Sequence, residues 1–567
     1  MGNFDRLFNW FRRSNSSVVS FGLGVISGTF FLGPRNVLPW NLNWLVGKGD
    51  GSADQLVFQF FRQTPFFQWP ITAIPNYVAG ANTVNPSGNA IFSVGAKFVG
   101  LFVSGQFQYF GILIVFWFAL QAFFAERLLS RFVSNSTFRL IGTTFFIISP
   151  VFLYRLAAMR HFHVSAHWLI IAALYLYFDE RSRTKSWAIL ISVAVAINLY
   201  IAISVVMIFI ATIIKIYMRN ELSSLGLKLK FCIKVVLPSI LSALGSFVVS
   251  GFMSYKESSG GAGFYRMNLF AFFNPGYSAT GSFSNVLNFI VPASRRVLFS
   301  EEWEGFQYLG VGVIISLPLV VIYSWRRRRE FRSSSWLPLL LAAGVLFVIA
   351  LSNRVTFAHI EVDYWWPDAL LRFRQIFRGA SRFGFALYYL LTLMTIVTVS
   401  RIFSKRFATI VLLGLLTFAL ADQAPGILAM HRSIGVSASS SRALLVDNNW
   451  SLIANDHSKL IIDKNFDLQV EGQVTSDAIM FASNWFELAQ FAVDHHMSTN
   501  FGYVSRPIEA FVKTEDSRVA RELSSGQLDS DAVYLVSNKA DWIRYQKQMS
   551  SSGLAYELDG FFVIVGN

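Results

Sequence analysis

Long apolar runs closed by charged residues recur along the first three quarters of this chain, and each reads as a membrane-spanning helix. The first runs from about Ser17 to Leu32, behind Arg6, Arg12 and Arg13. A polar and aromatic stretch follows to about Ser104. Further runs cover about Phe107–Phe124 and Leu140–Tyr154, and a fourth closes at Asp179, Glu180, Arg181 and Arg183. The run Trp187–Met218 is about 30 residues long, too long for one ordinary span. Arg183 and Lys185 precede it, and Lys215 and Arg219 close it, so its two ends lie on one side. This predicts two short helices turning near Asn198 and Tyr200, or a buried re-entrant hairpin. Later runs cover about Val235–Met253, Tyr308–Ser324, Trp336–Leu351 and Phe383–Val399. A last one follows Lys405 and Arg406 and ends near Ala421. The total is about eleven spans.

Charge orients them. The run Arg326-Arg327-Arg328-Arg329 is a cytoplasmic stop signal. With the N-terminus inside, an odd number of spans puts the C-terminus outside, in the periplasm of a Gram-negative cell. No small-residue cleavage site follows the first run, which reads as an uncleaved signal anchor.

From Asp422 onward the composition becomes that of a soluble domain. Short apolar runs predict strands at Ala443–Val446, Lys459–Ile462, Ala532–Val536 and Phe561–Val565. Helical patterns at Ala478–Val493, Ser517–Leu523 and Asp541–Met549 lie between them. The expected fold is an α-helical polytopic membrane protein over residues 1–421 with a soluble extracytoplasmic α/β domain over residues 422–567. That domain has no glycine-rich phosphate loop and no nucleophile elbow. Its expected part is to shape or cap an acceptor site.

Composition agrees with lipid as the solvent: 54% of residues are hydrophobic and only 14% charged, against roughly a quarter in soluble chains. The net charge of +15 raises nucleic acid as a partner, but the basic residues sit in short loops between apolar runs, which is the pattern of topology. The single cysteine, Cys232, excludes an internal disulfide and a cysteine metal cluster.

Charge that topology does not explain marks the candidate chemistry. In the first outer loop, Asp50 and Asp54 lie near the membrane surface, with Arg62 downstream. A carboxylate at such a boundary can act as general base; Asp50 is read that way, whereas Asp54 is read first as a helix N-cap. In a later loop Glu304 adjoins an apolar run, either in a solvated acidic loop or in contact with a polar substrate. Arg374, Arg378 and Arg382 are four residues apart and would share one helix face. Such a face suits a phosphate, or snorkels to lipid headgroups. His163 and His167 could chelate a metal if helical, although histidines at a helix start are more often ordinary polar groups.

Several segments carry a resemblance. Gly49-Asp50 through Gln59-Phe60-Phe61-Arg62, then Pro65 and Trp69-Pro70, resemble the first outer loop of a bacterial multi-pass family. So do Phe107-Gln108-Tyr109-Phe110-Gly111, His161 with His167-Trp168, Glu304-Gly305 with Tyr308-Leu309-Gly310, and Phe377-Arg378 with Ser381-Arg382-Phe383. The matches run in order along nearly the whole chain. That family is similar to GT-C glycosyltransferases, which use polyprenyl-phosphate sugars outside the cytoplasmic membrane. Where the family carries an Asp-Ser pair, this chain reads Asn85-Pro86-Ser87-Gly88-Asn89, and Gly51 replaces an aromatic residue.

The resemblance implies an inverting transferase with Asp50 as base, Asp54 as its alternate, Arg62, Arg374, Arg378 and Arg382 on the donor phosphate, and His161 and Glu304 lining the cavity. It implies a polyprenyl-phosphate sugar, a cell-envelope glycan or glycolipid acceptor and membrane lipids as partners, no nucleic acid, no organic cofactor and no indicated metal, in a bacterial inner membrane. The rivals are a transporter or flippase of a lipid-linked glycan, which would line its path with ionisable groups at mid-membrane depth, and a polymerase of such glycans.

Overall fold

The computed structural model describes residues 2–46, 49–81, 89–179, 184–221, 223–254, 265–276, 282–290, 300–358, 360–435, 445–464, 479–503, 509–549 and 553–566. Asn85 to Gly88, Arg181, Arg183 and the start of the strand expected at Ala443 lie outside them. The chain is 67% helical. It forms two compact units whose members interleave in sequence. Residues 1–42, 107–246 and 260–436 make the first, and residues 43–106, 247–259 and 437–567 the second.

Among the described residues five helices are long and apolar enough to cross a membrane: Phe110–Leu129, Leu199–Met218, Leu225–Val249, Ala380–Ile402 and Lys405–Ile434. A sixth is counted if Ser136–Ile147 and Pro150–Ala157, bent by 42°, act as one span. The expected eleven spans are not shown. The other apolar helical segments, among them Ser16–Leu32 within a longer helix, are 10–17 residues long, or about 15–26 Å at 1.5 Å per residue, against the ~30 Å hydrocarbon core. The chain is therefore a multi-pass membrane protein with fewer full-length spans than apolar runs.

In the first unit, the Gly2–Leu32 helix packs closely along Phe110–Leu129. Gly24 permits this, because a Cβ there would lie 2.4 Å from the Phe118 carbonyl oxygen. Polar groups lock the same contact. Ser17 Oγ donates to Glu126 Oε2 at 2.6 Å, and Arg139 Nε to Glu126 Oε1 at 2.7 Å, all three side chains being buried. The long 187–218 run breaks at Asn198, whose side chain caps the following helix by accepting from the Tyr200 and Ile201 amides. The second half is a full 20-residue helix, longer than expected.

The last span does not stop near Ala421. Its helix runs Lys405–Gly435, through Asp422 and Pro425. Asp422 looks like a terminator in sequence, but it is buried and satisfied. Its Oδ1 accepts from Ser284 Oγ and the Val286 amide, both at 2.8 Å, and its Oδ2 from Tyr308 Oη at 3.1 Å.

The second unit contains a five-stranded sheet. A separate hairpin in the first unit supplies β1 (Arg354–Phe357) and β2 (Ile360–Asp363). The sheet is built from β3 (Lys459–Ile462), β4 (Ser498–Thr499), β5 (Ala532–Val536), β6 (Gly553–Leu558) and β7 (Phe561–Gly566), in the order β4-β3-β5-β7-β6. Strands β4, β3 and β5 are parallel, while β7 runs antiparallel to both β5 and β6. Helices Glu509–Ser525 and Lys539–Gln548 cover Tyr534 and Ile564 through Val519, Leu523 and Tyr545. The alternation of apolar runs located β3, β5 and β7. It missed β4 and β6: the first has two residues, and the second alternates without a sustained apolar run.

Asp422→Ala is expected to strip the acceptor from two hydroxyls and one amide, at about 1–3 kcal/mol for each group left buried and unmet. Thermal unfolding in detergent should show a clear loss for Asp422→Ala and a smaller one for Asp422→Asn, which keeps one acceptor.

Candidate functional site

In the first unit an ion triad is enclosed by protein. The Pro150–Ala157 helix carries Arg155 with no exposed surface, and the turn Ser300–Gly305 carries Glu304. Arg155 Nη1 lies 2.9 Å from Glu304 Oε2, and its Nη2 donates to the Glu304 carbonyl oxygen. Arg382, on the turn Ala380–Gly384, reaches the same carboxylate from another side, with Nη2 2.8 Å and Nε 3.0 Å from Oε2. Burial alone would raise the Glu304 pKa, but Arg382 and Arg155 outweigh it and hold the carboxyl down to about 2. Its role is thus to neutralise arginines, not to take up protons. Two guanidiniums face this one carboxylate.

Aromatic groups frame it. The Arg382 guanidinium lies 4.6 Å from the Tyr200 ring centre, and Tyr200 Oη accepts from the Gly379 amide. Arg378 lies 5.6 Å from the Tyr265 ring centre, and Tyr265 meets Trp303 edge to face. Tyr154 stacks on Phe306 at 4.4 Å. His161 is buried, its Nδ1 3.4 Å from Arg155 Nη1.

The three arginines spaced by four do not share a helix face. The helix is Asp368–Ile376, closed by the Phe377 amide donating to the Phe373 carbonyl. Arg374 stays on it and donates to Ser352 Oγ at 3.0 Å. Arg378 falls in the break and Arg382 on the next turn. Phe373, Phe377 and Phe383 pack together there, Phe383 fully buried, and this ring cluster sits at the break in the helix. The histidines also depart from expectation. Residues 161–167 form turns, and His167 Nδ1 lies 2.8 Å from Tyr389 Oη. Among the described residues no three His, Cys, Asp or Glu side chains group to hold a metal.

In the second unit, Asp50 opens the Asp50–Gln63 helix and Gly49 caps it at φ 103°. Asp54 is therefore no N-cap. It lies one turn further along the face that carries Asp50, and it is buried. Tyr503 Oη donates to Asp50 Oδ1 at 2.7 Å. Tyr77, fully buried, donates to the Tyr503 carbonyl at 3.3 Å. Burial pushes the Tyr77 phenol up and the nearby Asp54 carboxylate adds to this, so it remains a donor. At the far end of the helix Arg62 donates to the Gly105 carbonyl at 2.9 Å and to Gln59 Oε1 at 3.1 Å, tying the helix end to that loop.

The family described as "Domain of unknown function (DUF6311)" matches residues 21–424, and its C-terminal domain matches residues 450–566. The chain belongs to the DUF6311 family. The crystal structure of the Archaeoglobus fulgidus oligosaccharyltransferase in the apo form is similar at 12% identity with a TM-score of 0.46, over 97% of this chain and 74% of that one. No match is found among curated proteins.

Within this DUF6311 chain, the expected site residues thus fall into two groups. His161, Glu304, Arg374, Arg378 and Arg382 belong to the first unit, and Asp50, Asp54 and Arg62 to the second. Two members were not singled out from sequence. The one signal for Arg155 was an arginine directly after the apolar run Leu140–Tyr154. Tyr503 carried no signal, since its partner is more than 400 residues away.

Glu304→Gln is expected to leave two guanidiniums facing each other in the interior, losing about 3–5 kcal/mol. The carboxyl's pKa is lowered from 4.5 to about 2, so its contribution is full above 4.5 and disappears as pH falls toward 2. In detergent, the difference in Tm between the parent and Glu304→Gln should be constant at neutral pH and shrink only in that acid window.

Proposed function

We propose that the chain is a membrane glycosyltransferase of the GT-C type, moving a sugar from a polyprenyl-phosphate donor to an extracytoplasmic glycan or lipid acceptor. The observation that carries this reading is a cluster of guanidiniums, Arg155 and Arg382 both paired with Glu304 and Arg378 over the Tyr265 ring. A forked guanidinium matches phosphate oxygens. The ordered segments of the resemblance supply the reaction class.

In this reading Asp50 is the general base. It takes the acceptor hydroxyl proton as that oxygen bonds to the anomeric carbon. The bond from that carbon to the phosphate oxygen breaks, the electron pair leaves with the phosphate, and the sugar's configuration inverts. Asp50 begins a helix, where the backbone dipole favours the ionised form that a base requires. Arg378 and Arg382 offset the charge gained by the leaving phosphate. The C-terminal domain faces the extracytoplasmic side of a bacterial inner membrane.

Purified chain with radiolabelled polyprenyl-phosphate sugars and an envelope-glycan acceptor tests the reading. Asp50→Asn should keep donor binding and lose about 10²–10⁴ in transfer rate. Transfer at the parent rate would remove Asp50 as base and make Asp54 the next candidate. If Asp54→Asn were also fully active, the mechanism would fall. Movement of intact donor across vesicles without cleavage would favour a flippase instead.

Arg378→Ala should weaken donor binding by about tenfold or more, the loss of a charge-assisted contact of roughly 1.5–3 kcal/mol. Arg378→Lys should restore only part of it, because lysine lacks the planar fork. Donor titration measures both.

A further inference from the structure

The contact between Asp50 and Tyr503 is built from both sides. The segment after β4 runs beside residues 76–79: the Ala79 amide donates to the Thr499 carbonyl, the Thr499 amide to the Asn76 carbonyl, and the Val78 amide to Thr499 Oγ1. Gly502 lies so close to Tyr77 that a Cβ would stand 2.4 Å from its ring. Trp485, itself buried, stacks on Tyr503 at 5.4 Å and 28°. Backbone pairing, a close glycine, a carbonyl contact and a stacked ring together fix where the Tyr503 phenol points, and it points at Asp50 Oδ1.

We propose that Tyr503 is a positioning residue for Asp50: its phenol holds one carboxylate oxygen and so sets the rotamer in which the carboxylate is presented. This rests on Asp50 being the base. A hydrogen bond donated to the charged form stabilises that form, so the phenol also keeps Asp50 ionised at lower pH. The C-terminal domain then takes a direct part in the reaction, through a residue on the segment that follows β4.

The test is Tyr503→Phe, which retains the ring on Trp485 and removes only the hydroxyl. Two readouts are taken. Isotope-edited infrared titration with ¹³C-aspartate, assigned by the band missing from Asp50→Asn, follows the carboxylate without any turnover. The pH profile of kcat/KM follows transfer. Both midpoints should move up by about one pH unit in Tyr503→Phe, as expected for loss of a hydrogen bond to a charged group. The KM for donor should stay unchanged, and Tyr503→His, which restores a ring donor, should recover part of the shift. An Asp50 titration identical in parent and Tyr503→Phe overturns the proposal. If the parent transfers no sugar but the Asp50 band still moves, the coupling of Tyr503 to Asp50 stands and the transferase reading fails.

Discussion

Glu304 sits between two guanidiniums in the interior of the first unit, and the polar organisation of that unit depends on this pairing. An isolated buried arginine would cost several kcal/mol in lost hydration. Arg155, with no exposed surface, is tolerable only because the carboxylate and the carbonyl of the same residue both accept from it. The triad draws together three segments far apart in the chain: the 150–157 helix, the 300–305 turn and the 380–384 turn. Neighbouring contacts repeat the arrangement, as Ser381 Oγ donates to the Glu304 carbonyl and Gln307 Nε2 to the Ser381 carbonyl.

The same economy recurs elsewhere in the first unit. Glu126 joins Arg139 and Ser17, Asp422 joins Ser284 and Tyr308, and Arg266 lies between Glu302 and Glu361. Each carboxylate has a partner from a distant segment. Apolar helix faces can slide past one another with little penalty, whereas a buried charge is satisfied in one register only. These pairs therefore specify how the helices align.

In the second unit the polar centre is organised by phenols. Tyr503 meets Asp50, Tyr77 meets the Tyr503 backbone, and Asp54 raises the energy of ionising Tyr77. A phenol directs a carboxylate without neutralising it. The arginines of the first unit have the opposite effect on Glu304, whose proton affinity they suppress. Two carboxylates that look alike in sequence thus acquire different chemistry from their partners.

The sequence by itself determined what depends on neighbours along the chain. Hydropathy marked the apolar runs, the polar Asn198 marked the break in a long one, and short β-rich runs located β3, β5 and β7. The start of the first outer-loop helix was placed at Asp54, one turn late, because Gly49 rather than an aspartate caps it, at φ 103°. What lay beyond it depends on distant partners. Asp422 continues a helix because Ser284 and Tyr308 satisfy it, and Arg374, Arg378 and Arg382 separate at a break where three phenylalanines pack. Full span lengths were not legible because an apolar run records burial, and burial against protein reads the same as burial in lipid. The membership of residues 43–106 with the C-terminal sheet, and the meeting of Asp50 with Tyr503, were decided by tertiary structure alone, because hydrogen bonds across more than 400 residues leave no periodic trace in one sequence.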